Sequence, residues 1–451
     1  MAVVDENPST SAGPRGFAEG LFPPGPAERR PRGRLVLGYA LAFLAAVGFQ
    51  LLTPAGLSRL DRMWAEDGAR FLLDALTQPF TANVVAPYGG YLHTLPRLLA
   101  EVASLFPLDW AAAVIAVSAA ALRAVVALTA FAASAGYLRS TPVRFALAAL
   151  VVVLPAGNSE TLDNLANVHW FLVYGVFWAL LWRSAPLVPV AVLVVLATLS
   201  SPLAFFLAPV ALLRLALPGR RDRVIPIVFL VAAAAQGLAM AFAERTPYSH
   251  DAVDPVQVVL AGLLRVPVVA FLGSEPVDEV YPEFGNVPVV IALLLVVVPI
   301  VAGLRWADRA GRFLVVLGAV SCVLVIAVSL IANWSAALQV QKPGVVMAAQ
   351  RYSIAPALFL FTAMAAGVDS GLRGRFAGVT AWAGRVLVGV AVLVGVVLHF
   401  TGSAGVLDGR PWDVGVAGAE AQCAAGDRPA GRIVHEPEGW YFDLPCEYLA
   451  D

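Results

Sequence analysis

Charge is scarce in this chain: 14% of its 451 residues are charged, while 59% are hydrophobic. A soluble globular chain carries about a quarter charged residues. Several apolar runs also reach about 20 residues, the length that crosses a hydrocarbon core. Together these predict an all-α, polytopic helical membrane protein. The alternating segments of roughly ten residues that mark a membrane β-barrel are missing. Net charge is -1, so no global basicity points to nucleic acid as a partner. There are only three cysteines, with no CxxC or Cys/His spacing of the zinc kind. Cys322 lies in an apolar run and reads as a core residue. Cys423 and Cys446 lie in the polar C-terminal tail and can form a disulfide if that tail faces an oxidising compartment. No GxxxxGK[ST], HExxH or GxSxG occurs, nor a GxGxxG after a strand, which argues against ATP-driven chemistry and soluble-type hydrolysis. Carboxylates are rare within the apolar runs, whereas a proton- or sodium-coupled transporter usually buries one near the midplane.

What is present is a succession of about eleven predicted spans, near 35–54, 110–134, 143–157, 165–182, 186–200, 202–217, 224–243, 287–304, 312–332, 351–367 and 385–401. Residues 1–33 are rich in Pro, Gly and charge and end in the basic "ERRPRGR" (28–34). They read as a disordered cytoplasmic tail. With the N-terminus inside, the inner loops become "YLRSTPVR", "WRSAP", "LPGRRDR", "RWADRAGR" and "GLRGRFAGVTAWAGR", all basic. The outer loops then carry "MWAEDG", "NSETLDN" and "SEPVDEVYPEF". This is the positive-inside pattern of an odd span count. Residues 34–401 form the transmembrane domain, and 402–451 an extracytoplasmic tail able to fold as a small cap. The stretch 256–273 is apolar, but Pro255, Arg265 and Pro267 favour a helix at the interface or dipping part-way over a span.

The first outer loop, 55–109, is long. Its segment "RMWAEDGARFLLDAL" (62–76), taken as a helix, places Trp64, Gly68, Phe71, Leu72, Ala75 and Leu76 on one stripe and Glu66, Asp67, Arg70 and Asp74 on the other. Such a helix lies along the interface. Glu66–Arg70 and Arg70–Asp74 are then i,i+4 pairs on a wet face. Farther on, Tyr88-Gly-Gly-Tyr91 is a turn, and His93-Thr94-Leu95-Pro96 opens a second apolar-striped helix.

This layout resembles the first periplasmic loop of the GT-C glycosyltransferases, polytopic enzymes that use polyprenyl-phosphate-linked sugars. The matching residues are Glu66-Asp67, an acidic pair shortly after the first span, and His93-Thr94-Leu95-Pro96 before the second. Arg70-Phe71 departs from the aromatic that commonly follows the acids. The resemblance implies transfer of a sugar from a polyprenyl-phosphate donor to an extracytoplasmic glycan, lipid or protein acceptor, with inversion. Glu66 or Asp67 is then the general base, a role contributing roughly 10²–10⁴-fold.

In the second outer loop and the start of the next span, "NSETLDNLANVHWFLVYG" (158–175) gathers polar groups that are unsuited to lipid. The resemblance marks Asp163, with Glu160 behind it, as the acid that helps bind acceptor or metal. His169 and His93 are substrate-binding candidates, against the plainer roles of satisfied or capping histidines. Arg351 and Lys342 break the positive-inside pattern. An outer arginine at a span mouth suits a phosphate clamp, and Tyr352 can add a hydrogen bond; the alternative for Arg351 is a snorkelling anchor. Arg123, inside the second span, needs a partner. His399 reads as structural, and His250 and His435 as exposed. No cofactor is implied with certainty, and a divalent metal stays open. Two other classes stay open too: a transporter or flippase of a lipid-linked intermediate, and a non-catalytic envelope-assembly protein.

Overall fold

The computed structural model describes residues 14–25, 32–52, 58–157, 159–244, 251–340, 349–371, 377–401, 410–426 and 428–449. Among them, eight helices are long and apolar enough to cross a membrane: Gly33–Leu51, Leu108–Gly136, Arg220–Phe242, Pro255–Leu272, Val287–Trp306, Arg309–Ala332, Gln350–Ser370 and Gly384–Thr401. Shorter apolar helices, such as Leu165–Leu181, pack among them. The protein is a mostly helical, multi-pass membrane protein.

The chain opens with α1 (Pro14–Leu21) and α2 (Arg32–Leu51). In the first loop a π-helix, Asp67–Leu72, runs into α3 (Leu73–Thr77). Then come α4 (Phe80–Val84), the hairpin of β1 (Pro87–Tyr88) and β2 (Tyr91–Leu92), and α5 (Thr94–Ala103). The bundle continues through α6 (Ala111–Ala133), α7 (Thr141–Val152), α8 (Leu165–Leu181), α9 (Leu187–Thr198), α10 (Ala208–Leu215) and α11 (Arg220–Phe242). After these come α12 (Pro255–Leu263), α13 (Val269–Leu272), α14 (Ser274–Phe284), α15 (Val287–Trp306), α16 (Arg309–Ala332), α17 (Ile354–Gly371) and α18 (Ala377–Thr401). A cap of α19 (Trp412–Ala424) and an antiparallel hairpin, β3 (Ala430–His435) and β4 (Trp440–Pro445), follows.

α8 and α17 sit at the centre, with no face left to the outside. α8 is buried along almost its whole length, and the Tyr174 hydroxyl meets Thr362 of α17 at 2.9 Å. α17 approaches α15 so closely that a methyl group on Gly367 would lie 1.9 Å from the Pro299 carbonyl oxygen. Small residues permit this backbone approach in a lipid-embedded bundle. α15 faces outward with Val290, Leu294, Val298 and Val301, and inward with Val289, Ala292 and Val296. An outward face made only of aliphatic side chains suits hydrocarbon rather than water.

The helix ends collect at two poles. At one, the Tyr137 hydroxyl donates to the Leu21 carbonyl (3.2 Å), and Arg183 donates to the Phe22 carbonyl (3.4 Å). The Ser140 amide donates to Asp369 (2.7 Å). Arg214 donates to the carbonyls of Ala179, Leu180 and Trp182 at the end of α8, satisfying groups that a helix C-terminus leaves open. The basic turns lie here. α1 lies here too: Phe22 is fully buried and packs edge-on to Phe313 (5.6 Å). Residues 14–22 are therefore ordered where the sequence predicts a disordered tail, because their apolar side chains find a face of the bundle. Residues 1–13 and 26–31 lie outside the described residues.

The opposite pole holds the first loop, the 155–167 turn, the start of α17 and the cap. Both ends of the α12–α13 segment meet this pole. The Asp251 amide donates to the Trp334 carbonyl, just past α16 (3.3 Å). A methyl on Gly273, whose φ is +82°, would sit 2.3 Å from Leu398 Cδ1 near the end of α18. Between them a π-turn, Leu264–Val268, carries Pro267, which lacks the N–H needed for a regular ladder.

The arrangement predicts a sidedness. With Cys322 buried and the cap cysteines bridged, Gln78→Cys and Glu438→Cys should both react with a membrane-impermeant maleimide from the same side. Arg220→Cys, at the other pole, should react only after permeabilisation. Labelling of Gln78→Cys and Glu438→Cys from opposite sides would overturn this geometry.

Candidate functional site

The acidic pair lies where the first loop is gripped from two directions. Trp64 bridges to Glu436 of the cap: the Ala65 amide donates to the Glu436 carbonyl (2.6 Å), and the Glu436 amide to the Met63 carbonyl (3.2 Å). Arg62 pairs with the Glu436 carboxylate. His435 is buried against Gly68, whose hydrogen is all that fits there, since a Cβ would lie 3.1 Å from Nε2. This corrects the exposed position expected for His435; His250 lies outside the described residues.

The 62–76 segment does not keep the regular α-helical stripe. Its π-turn widens the helix and carries Asp67 onto the face of Gly68, Phe71 and Leu72, all buried. Asp67 is fully buried, so it is no part of a wet face. Its Oδ2 accepts from the Leu165 amide (2.7 Å) and its Oδ1 from the Ala166 amide (2.8 Å). These are open donors at the N-terminus of α8, where the helix dipole favours negative charge. Asn164 completes the cap by accepting from the Asn167 amide (2.9 Å). Burial pushes the Asp67 carboxyl up to about 8, against the pull of those two amides. The expected Arg70–Asp74 pair is replaced as well. Asp74 accepts from Arg97 of α5 (2.8 Å), and Arg70 lies over the Tyr88 ring (5.9 Å).

The two acids thus divide. Asp67 is committed to α8. Glu66 is half-buried and, among the described residues, has no hydrogen bond or ion pair.

Beside Glu66 runs a continuous arc of rings. Tyr91 and His93 lie 4.2 Å apart by centroids, His93 and His169 6.2 Å, His169 and Trp170 4.9 Å, and Trp170 and Tyr352 5.5 Å. Phe71 (5.5 Å) and Tyr88 (5.6 Å) close in on His93 from the other side. The loop that presents Tyr91 and His93 is held on the bundle. Leu92 pairs with Gln236, the Thr94 amide donates to the Leu199 carbonyl (3.2 Å), and the Leu95 amide to Ser200 Oγ (2.9 Å). His169 Nδ1 lies 3.2 Å from Ser201 Oγ. His93 is buried, and neither ring nitrogen makes a hydrogen bond. Burial, reinforced by His169 and Arg97, pushes it well below the usual histidine range, so it is neutral. Burial also raises the Tyr91 phenol, while Arg351 pulls it down and Glu66 pushes it up. Glu66 and Arg351 therefore both act on one ring.

Arg351 sits over Tyr352 (5.1 Å) and pairs with Glu160, which also accepts from the Arg351 amide (3.2 Å). Arg265, fully buried, acts electrostatically on Tyr352 and Asp278. Asp163 belongs to a separate network: it accepts from Arg59 at 3.1 Å, and both side chains are buried. Its φ of 56° is the left-handed region, unusual for a non-glycine residue. Arg123 donates through Nη2 to the Val151 (3.1 Å) and Val152 (2.9 Å) carbonyls and stacks on Phe171 (4.2 Å), while its Nε and Nη1 are buried without a hydrogen bond. His399 is structural, with Nε2 3.0 Å from the Phe49 carbonyl. Lys342 lies outside the described residues.

The structure therefore brings together His93, His169, Glu160, Arg351 and Tyr352, with Glu66 acting electrostatically on the Tyr91 end of the arc, and turns Asp67 and Asp163 to other partners. Sequence reasoning gave no site role to Tyr91, Trp170, Arg59 or Glu436. Tyr91 was visible only as part of a turn, and nothing local pairs residue 62 with residue 436. Among the described residues no group of three or more His, Cys, Asp and Glu is placed to hold a metal. Asp67, Asp163 and Glu160 already have partners. No family model, curated protein or solved structure matches the chain.

Asp67 yields two linked predictions. Asp67→Ala leaves two buried amides unsatisfied, at about 1–3 kcal/mol each, and should lower the detergent-solubilised melting temperature. Because the folded chain holds this carboxyl's proton to higher pH than the unfolded chain does, its contribution should fall as pH rises from the normal aspartate range toward about 8. The difference in melting temperature between wild type and Asp67→Asn, followed across that window, should carry this slope. A pH-independent difference would refute it.

Proposed function

We propose that the protein is a membrane glycosyltransferase of GT-C type. It moves a sugar from a polyprenyl-phosphate donor to an extracytoplasmic envelope acceptor, with inversion at the anomeric carbon. The observation that carries this reading is Glu66: a carboxylate with no hydrogen bond or ion pair among the described residues, beside a buried aromatic arc that ends in a guanidinium. On this reading eleven helices cross the membrane and α12–α13 stays on the outer side. The pole with the first loop and cap is extracytoplasmic; the basic pole and N-terminus are cytoplasmic. A lipid-phosphate donor keeps its head group at that outer boundary.

The roles follow from charge. Glu66 takes the acceptor hydroxyl's proton as its oxygen bonds to the anomeric carbon. The bond from that carbon to the donor phosphate oxygen breaks, and the polyprenyl phosphate leaves with the electron pair. Arg351, oriented by Glu160, stabilises the negative charge that develops there. Tyr91, His93, His169, Trp170 and Tyr352 offer ring faces and polar edges to a sugar, and the neutral His93 imidazole accepts or donates hydrogen bonds without competing for the phosphate. Asp67 sets the position of Glu66 by fixing the adjoining backbone to α8. The capping role of Asp67 equally suits a non-catalytic envelope-assembly protein with this architecture, and one substitution separates the two.

In proteoliposomes supplied with polyprenyl-phosphate sugars and envelope acceptor, Glu66→Gln should reduce transfer by about 10²-fold or more while leaving the melting temperature unchanged. Arg351→Gln should lower transfer as well. Undiminished transfer by correctly inserted Glu66→Gln would remove the proposed base.

A further inference from the structure

The cap carries a second site, independent of the reading above. A groove of about 410 Å³ lies between α19 and β3, lined by Arg410, Arg428, Arg432, Gln422, Gly415 and Gly418 among others. Binding pockets fall in the range of about 300–1,000 Å³. Its charge is sorted: all three arginines of residues 402–451 line the groove, and among the described residues no acid does.

The groove is built to stay open. Trp412, Gly415, Val416 and Ala419 form the buried side of α19, so that Gly415 lines the groove only at its floor while Gly418 and Gln422 face it. A methyl on Gly418 would meet nothing within 4 Å, so a glycine there preserves space. Gln422 bonds both ways to the Arg432 backbone (3.0 and 3.4 Å). The Cys423–Cys446 bridge ties the helix end to the segment after β4. Asp443 holds the Arg432 guanidinium through two bonds (2.8 and 3.0 Å), and Tyr441 lies beneath it at 4.0 Å. Arg410 and Arg428 are exposed and, among the described residues, have no ion-pair partner. Two exposed guanidiniums beside a fixed third, with Arg428 acting only at a distance on Asp443, make a fork suited to an oxyanion.

We propose that this groove binds a phosphate-bearing ligand, either a soluble sugar phosphate or an anionic lipid headgroup. The test uses full-length protein in zwitterionic-lipid nanodiscs, titrated calorimetrically with glucose 1-phosphate, inorganic phosphate and glucose. Both anions should bind at millimolar concentration, more weakly as salt rises, and glucose should not. The double variant Arg410→Gln/Arg428→Gln, which changes only exposed side chains, should weaken anion binding about tenfold or more with the melting temperature unchanged. Absent anion binding, or equal affinity in the double variant, would overturn the site. Repeating the titration in nanodiscs rich in phosphatidylglycerol separates the sources: weaker glucose 1-phosphate binding than in zwitterionic discs assigns the groove to the headgroup, and unchanged binding to a soluble ligand.

Discussion

One carboxylate on one helix end organises the site. Asp67 closes the open amides of Leu165 and Ala166, joining the first loop to the most buried helix of the bundle. Burial disfavours the charged carboxylate and outweighs the opposing pull of the two backbone donors and the field of α8. Two parts of the site are positioned through it. Glu66 is the neighbouring residue, His169 lies one turn into α8, and Trp170 follows. The same contact thus sets the spacing between the first loop's free acid and the second loop's rings.

Around that contact the charges separate into groups with different tasks. Arg59 and Asp163 form a buried pair, and Arg123 spends its donors on α7 carbonyls. Buried pairs of this kind add little net stability but make the loss of one partner costly. They lock the 155–167 turn while contributing no free group to the arc. Arg351 is less buried and paired on one side by Glu160, which orients it at the start of α17. A carboxylate on the first loop and a guanidinium just before α17 thus act in opposite senses on Tyr91.

The helices were legible because hydrocarbon demands long apolar runs, and composition alone reveals them. The predicted 165–182 and 287–304 segments emerge as Leu165–Leu181 and Val287–Trp306. Of the aromatic arc, the residue types and loops were legible: His93, His169 and Tyr352 stand in one run of ring contacts, and Arg351 lies over Tyr352 and pairs with Glu160. Partnerships were not. A periodicity argument assumes 3.6 residues per turn, and the π-turn at 67–72 breaks that assumption at the residue that matters most. The burial of His435, the Arg62–Glu436 pair and the docking of α1 depend on contacts between distant parts of the chain, for which local pattern carries no signal. The chemistry of transfer rests on resemblance and on the geometry around Glu66.

The bridge between Met63–Ala65 and Glu436 also bears on how the molecule is made. A ribosome emits residue 436 only after all the bundle helices have been synthesised, so the strand that braces the acidic loop is delivered late. The loop therefore waits, through the insertion of the whole bundle, for its support. Bracing of the first loop is in this sense a checkpoint on completion: a chain halted before the cap would populate the bilayer with its helices in place and its acidic loop unbraced.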